Sequence, residues 1–174
     1  MNWTETLKQQ IEEVYHASEG LMDLLDDAKL GWKPESGDNW MTTGQLLKHM
    51  ASACGMPAKG FVTGDWGMPE GVSPGDMPPE EMLPPASKLP AAASVAEAKA
   101  ELASDKQLAL DMVAKAGEDE LANKMVKAPW NPSERLLGYQ LLEMAGHLNQ
   151  HKGQLFYYLK LQGNNVNTRH LWGM

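Results

Sequence analysis

Between Arg135 and Gln162 the residues Leu137, Leu141, Met144, Leu148, His151, Leu155 and Tyr158 recur in alternating steps of four and three. That spacing is the period of an α-helix with one stripe turned to a core. His151 is the single imidazole on the stripe, and His147 lies one turn before it. Two imidazoles four residues apart on a helix can reach one point in space, which is what a metal ion requires. The pair alone also fits two hydrogen-bonded core or interface histidines. Its meaning therefore turns on what the rest of the chain brings to it.

Three further stripes precede this one. Asn2 and Glu5 form a capping-box-like start, and Leu7, Ile11, Val14, Ser18, Leu21, Leu25 and Ala28 keep the same alternation. The spacing predicts helix 1 over about residues 3–28. His16 falls on its opposite, solvated face. Gly31, Pro34 and Gly37 mark a loop, with Trp32 and Trp40 placed to pin it to the helices. Thr42 and Gln45 form a second capping box, which opens helix 2 over about 43–56. Leu46, His49, Met50 and Ala53 share one face, so His49 points into the core. Cys54 sits about 140° around the helix from His49 and reads as a small buried hydrophobe, not a ligand. Pro57 ends or kinks this helix.

From Gly64 to Pro90 periodicity stops, and seven of the eleven prolines fall here. Neither side has enough helices to close a core alone, so the segment reads as a crossover, residues 64–93, and not as a linker between domains. Helices 2 and 3 are then expected to be parallel neighbours. Ser94 with Glu97 caps helix 3, over about 95–116, with Gly117 as its stop. Glu118, Asp119 and Glu120 read as a solvated turn. Pro129-Trp130-Asn131-Pro132 makes an irregular lead into helix 4, with Ser133 as its cap, over about 134–162. Gly163 stops it, and His170 lies in a polar tail without helical constraint. The expected fold is thus an all-α, four-helix bundle forming one domain over residues 1–174.

The formal charge of −8, with no basic cluster to offset it, argues against nucleic acid and anionic membrane surfaces as partners. The single cysteine allows no disulfide framework, the N-terminus has no signal pattern, and no apolar run approaches the ~20 residues of a membrane span. A cytoplasmic protein is expected.

Three inward histidines on helices 2 and 4 change the weight of the pair. Clustered neutral imidazoles in an apolar core leave nitrogens without partners, at ~1–3 kcal/mol each. One divalent ion bound by His49, His147 and His151 satisfies three together and keeps a position open, as catalytic sites do. Leu148 where a zincin needs Glu excludes His-Glu-x-x-His chemistry. A ferritin-like di-iron site needs carboxylates that helix 2 lacks, since no Glu lies between Thr42 and Met56. Affinity should fall below pH ~6.5 as imidazoles protonate. Glu143, Gln154 and Tyr158 are candidates to surround the ligands.

Leu46-Leu47-Lys48-His49-Met50, and the run from Met144 to Leu155 that contains Gly146-His147-Leu148-Asn149-Gln150-His151, resemble the two metal-ligand motifs of the DinB/YfiT-like superfamily. The resemblance implies an up-down-down-up bundle, often dimeric, with zinc or nickel on His49, His147 and His151. It also implies the class of activity, since characterised relatives include thiol S-transferases and a thiol-dependent isomerase. The expectation is therefore a metal-dependent enzyme on a small molecule, possessing a low-molecular-weight thiol as co-substrate. A metal-dependent hydrolase, or a non-enzymatic metal- or ligand-binding bundle, would use the same ligands. Gly146 and Gly153 fit either a homodimer interface or close packing within one chain.

Overall fold

The computed structural model describes residues 2–68, 77–78 and 84–174. Helix α1 spans Trp3–Met22, and the Asn2 side chain accepts from Glu5 N as its cap. It stops short of the expected residue 28. Asp23 ends it, and Asp26 caps a separate 3-10 turn at Asp27–Lys29. Ala28 is exposed there and takes no place in the core.

The expected second helix is two. Helix α2 covers Thr43–Met50 behind a complete Thr42–Gln45 capping box, and α3 covers Gly55–Thr63. The break comes before Pro57, which sits in the first turn of α3, where its missing N–H is not needed. Gly60 gives Trp66 room to lie against α3, since a Cβ there would meet the indole at 2.2 Å. Residues 69–76 and 79–83 of the crossover lie outside the described residues. Its returning end carries a 3-10 turn at Ala86–Lys88, and Gln45 Nε2 donates to the Ala86 and Leu89 carbonyls, each at 2.8 Å.

Helix α4 runs Val95–Asn123, with a non-helical residue at Gly117 (φ +68°). The stop expected at Gly117 is therefore a kink, after which the acidic run continues as helix. Glu118 is not merely solvated. Its carboxylate accepts from Trp3 N and Thr4 N, both at 2.9 Å, and caps α1 from outside.

A small antiparallel sheet then departs from the all-helical expectation, pairing β1 (Met125–Ala128) with β2 (Asn131–Leu136) around Pro129-Trp130. Helix α5 starts only at Leu137 and runs to Leu161. Ser133 lies in β2 and caps nothing, and the residue before the helix, Leu136, makes no side-chain cap. Gly163 (φ +90°) follows the helix as expected. The tail forms α6 (Thr168–Trp172), where Asn167 and His170 make a capping box.

One apolar core draws Leu7, Ile11 and Leu21 from α1, Leu46 and Met50 from α2, Phe61 from α3, Leu102 and Val113 from α4, and Leu141, Leu148 and Leu155 from α5. Contacts between α4 and α1 run from Glu118 with Trp3 at one end, through Lys106 with Glu12, to Lys99 with Asp23 at the other. Late α5 meets the start of α2 through Tyr158 with Met41 and Gln162 with Thr43. No helix among the described residues is long and apolar enough to cross a membrane.

Candidate metal centre

The facing stripes of α2 and α5 bring His49, His147 and His151 to one point. Their Nε2 atoms lie 3.3 Å apart for His49 and His147, 3.0 Å for His49 and His151, and 3.0 Å for His147 and His151. All three are partly buried, and together they form a group that could hold a metal ion.

The partners of the other ring nitrogens decide where the protons are. His147 Nδ1 stands 3.1 Å from the Ala53 carbonyl, which can only accept, so that nitrogen carries its proton. His151 Nδ1 stands 3.1 Å from Gln154 Oε1. The orientation of that amide follows from a short chain. Tyr158 donates to the Met41 carbonyl at 2.9 Å, so its oxygen accepts from Gln154 Nε2 at 3.2 Å, and Gln154 Oε1 is left for His151. The rings of Trp32 and Trp40 pack edge-on against Tyr158, with centroids at 5.2 and 6.3 Å, and fix its position. In the neutral rings, His147 and His151 thus face each other with two bare Nε2 lone pairs.

One proton from His49 can satisfy only one of them, and the other is left against a lone pair. A cation shared by all three removes the conflict. Tetrahedral ligands at the ~2.0–2.1 Å zinc–imidazole length stand ~3.3–3.4 Å apart, close to the spacing here. The donor set fits a divalent ion. Burial pushes His49 down to about 4, helped by the neighbouring His151 and His147, and burial also lowers His151. His49 and His151 are therefore biased to the neutral form that binds metal.

The remaining candidates divide. Gln154 and Tyr158 take part as described. Glu143 does not; its carboxylate pairs with Arg135 at 2.6 Å. His16 is exposed, with Nε2 3.2 Å from the Gly173 carbonyl, and His170 caps α6. Cys54 is buried beside the break, and burial pushes its thiol up to about 12, so it stays protonated.

Two participants escaped the sequence reading. One is the Ala53 carbonyl, whose only trace in the sequence is Pro57, four residues on, with no N–H to draw it into a continuous helix. The other is Asp105, a buried carboxylate at the three–four position between Leu102 and Ala109 in the apolar stripe of α4. Burial raises its pKa, against the pull of four hydrogen-bond donors.

A family model described as the DinB superfamily matches residues 10–155, a span that includes all three histidines. No curated protein and no solved structure matches the chain.

Proposed function

The chain belongs to the DinB superfamily, and on that premise we propose a metal-dependent enzyme acting on a small molecule by thiol S-transfer, with His49, His147 and His151 holding one divalent ion. The observation that carries this reading is the convergence of three Nε2 atoms, two of them with lone pairs bared by fixed Nδ1 protons. Imidazole donors suit zinc and nickel alike. When bound, the ion supplies Lewis acidity at its open position, where a thiol gives up its proton more readily. Ala53 and Gln154 orient two of the rings and keep their tautomers, which an open site needs if its ligands are not to rotate away.

The substrate's place in this reading is a cavity of about 640 Å³ that His49 shares with Lys48, Ser52, Met56, Leu89 and Leu108. Its walls are mainly apolar, as suits an electrophile with a hydrocarbon body. Ala100 lines the cavity from an exposed position of α4, where a larger side chain leaves the core alone. Ala100→Trp should raise KM several-fold while bound metal stays the same, as steady-state kinetics beside metal analysis would reveal.

The pairings of Glu118 with Trp3, of Tyr158 with Met41, and of Lys48 and Cys54 with Glu101 and Asp105 support an up-down-down-up bundle with α2 and α4 parallel, in one domain over 1–174. A cytoplasmic home agrees with one buried, unpaired cysteine. We also place a homodimer on the outer face of α5. A Cβ at Gly146 or Gly153 would meet nothing within 4 Å, so packing among the described residues does not account for either glycine. Light scattering should give twice the chain mass.

A direct test incubates the purified protein with panels of low-molecular-weight thiols and electrophiles, with and without zinc or nickel. Metal-dependent loss of thiol is expected. Metal uptake without turnover of any pair would overturn the enzymatic part and leave a metal-binding bundle.

A further inference from the structure

We propose that Asp105 is a positioning residue of the histidine site, acting through the turn between α2 and α3 to aim the Ala53 carbonyl at His147. The inference rests on the reading of the three histidines as metal ligands, but the arrangement of the turn stands on its own hydrogen bonds.

The chain leaves α2 at Ala51 and starts α3 at Gly55, and the intervening residues include Ala53. The new helix begins without a local cap, since Cys54 makes no side-chain cap bond. Its orphan N–H groups are satisfied instead by Asp105, fifty residues on. Asp105 Oδ2 accepts from Gly55 N at 2.9 Å and Cys54 N at 3.3 Å, and Oδ1 accepts from Met56 N at 2.9 Å. Tyr15 of α1 donates to Oδ2 at 2.7 Å and fixes the carboxylate from the far side. A carboxylate from a third element thus plays the part that an N-cap residue plays locally.

Gly55 is the sequence's accommodation to this contact. A Cβ there would stand 2.1 Å from the Asp105 carbonyl oxygen and 2.6 Å from Oδ1, so no other residue lets α3 start this close to α4. The consequence for the site is geometric. Ala53 immediately precedes the three residues that Asp105 grips, and its carbonyl is the acceptor that holds the His147 proton on Nδ1. If the grip loosens, the carbonyl turns away, and His147 is free to carry its proton on Nε2, the nitrogen that must be bare for a metal.

The test uses Asp105→Asn, which keeps shape but turns one acceptor into a donor facing backbone N–H groups. Two readouts are taken on the full chain: cobalt(II) affinity with its visible spectrum, and, in the metal-free protein, the His147 tautomer from long-range proton–nitrogen correlation. Wild type should show the Nδ1–H form. Asp105→Asn should show a mixture with the Nε2–H form, a cobalt affinity lower by ~10-fold or more, and altered visible bands. Ala109→Gly, one turn further along α4, lowers stability without touching the turn and should leave both readouts as in wild type.

Unchanged tautomer and affinity in Asp105→Asn would overturn the proposal, as would equal shifts in Ala109→Gly, which would make the effect one of stability alone. Should Asp105→Asn fail to fold, Tyr15→Phe removes the 2.7 Å bond behind the carboxylate and is judged by the same readouts, with a smaller shift expected and no shift overturning the idea. If wild type binds no cobalt, the metal reading fails, while the tautomer measurement still decides the role of Asp105.

Discussion

Replacing any one of His49, His147 and His151 with Ala is expected to lower zinc or nickel affinity by on the order of 100-fold or more, because in the proposed site each would supply one of three histidine ligands. The triple variant should retain no metal after dialysis. Gln154→Ala, which removes the acceptor at 3.1 Å from His151 Nδ1, should cost less, roughly 10-fold, since the ring keeps its nitrogen but loses its fixed tautomer. His16→Ala and His170→Ala should bind as wild type. His16 is exposed on α1 against the Gly173 carbonyl, and His170 is engaged with Asn167. Calorimetric titration and metal analysis of these variants separate the cases. Metal kept by the triple variant would end the reading of the site.

The parts of the molecule legible in the sequence are those whose cause is local. The stripe from Leu137 to Tyr158 specifies a helix and puts His147 and His151 on one face without help from elsewhere. The capping box at Thr42 and the Ser94 cap start helices where they stand, although Glu97 accepts from Ala93 N and leaves the second box one-sided. What the sequence did not disclose is set by distant contacts. The helix expected over 43–56 breaks at 51–54 because Asp105 satisfies the N–H groups of a new start. The acidic turn at Glu118 became a cap because the α1 N-terminus lies beside it. The hairpin at 125–136 hides in Pro129-Trp130-Asn131-Pro132, where two prolines suggest irregularity, yet the first lies in the turn and the second in a two-stranded sheet that need not use its nitrogen.

The same division holds inside the site. Gln154 could be anticipated three residues from His151, whereas a backbone carbonyl such as that of Ala53 has no side-chain signature. Glu143, on the correct face by spacing, is claimed by Arg135. Spacing assigns a residue to a face of its helix, and the competition among neighbours settles what it binds.

That competition also makes the metal-free protein sensitive to acid. His49 is pushed down to about 4, first by burial and then by the charges of His151 and His147, whereas in the unfolded chain it titrates near ~6.5. Between those values the unfolded state holds a proton that the folded state refuses, so stability falls as pH drops through this window. Below about 4 the folded protein takes the proton as well, and this contribution levels off. From pH 7 to 5 the loss due to His49 should be about 1–2 kcal/mol, allowing for its partial exposure. His151, lowered by burial, adds in the same direction. Asp105, raised by burial, opposes it. Carboxylates held low by their partners, such as Glu97 beside Ala93 N and Lys48, lose their contribution only at still lower pH. Urea unfolding in the presence of a chelator at pH 7 and pH 5 measures the sum, and the same pair of measurements on His49→Gln isolates the share of His49. Wild type should lose stability over this interval and His49→Gln should lose distinctly less. Equal losses in the two proteins would mean that His49 is not the group held neutral. If the proposed site holds zinc, saturating zinc should lift the wild-type curve at pH 7 and far less at pH 4, because the ion and the proton would compete for His49 and His151.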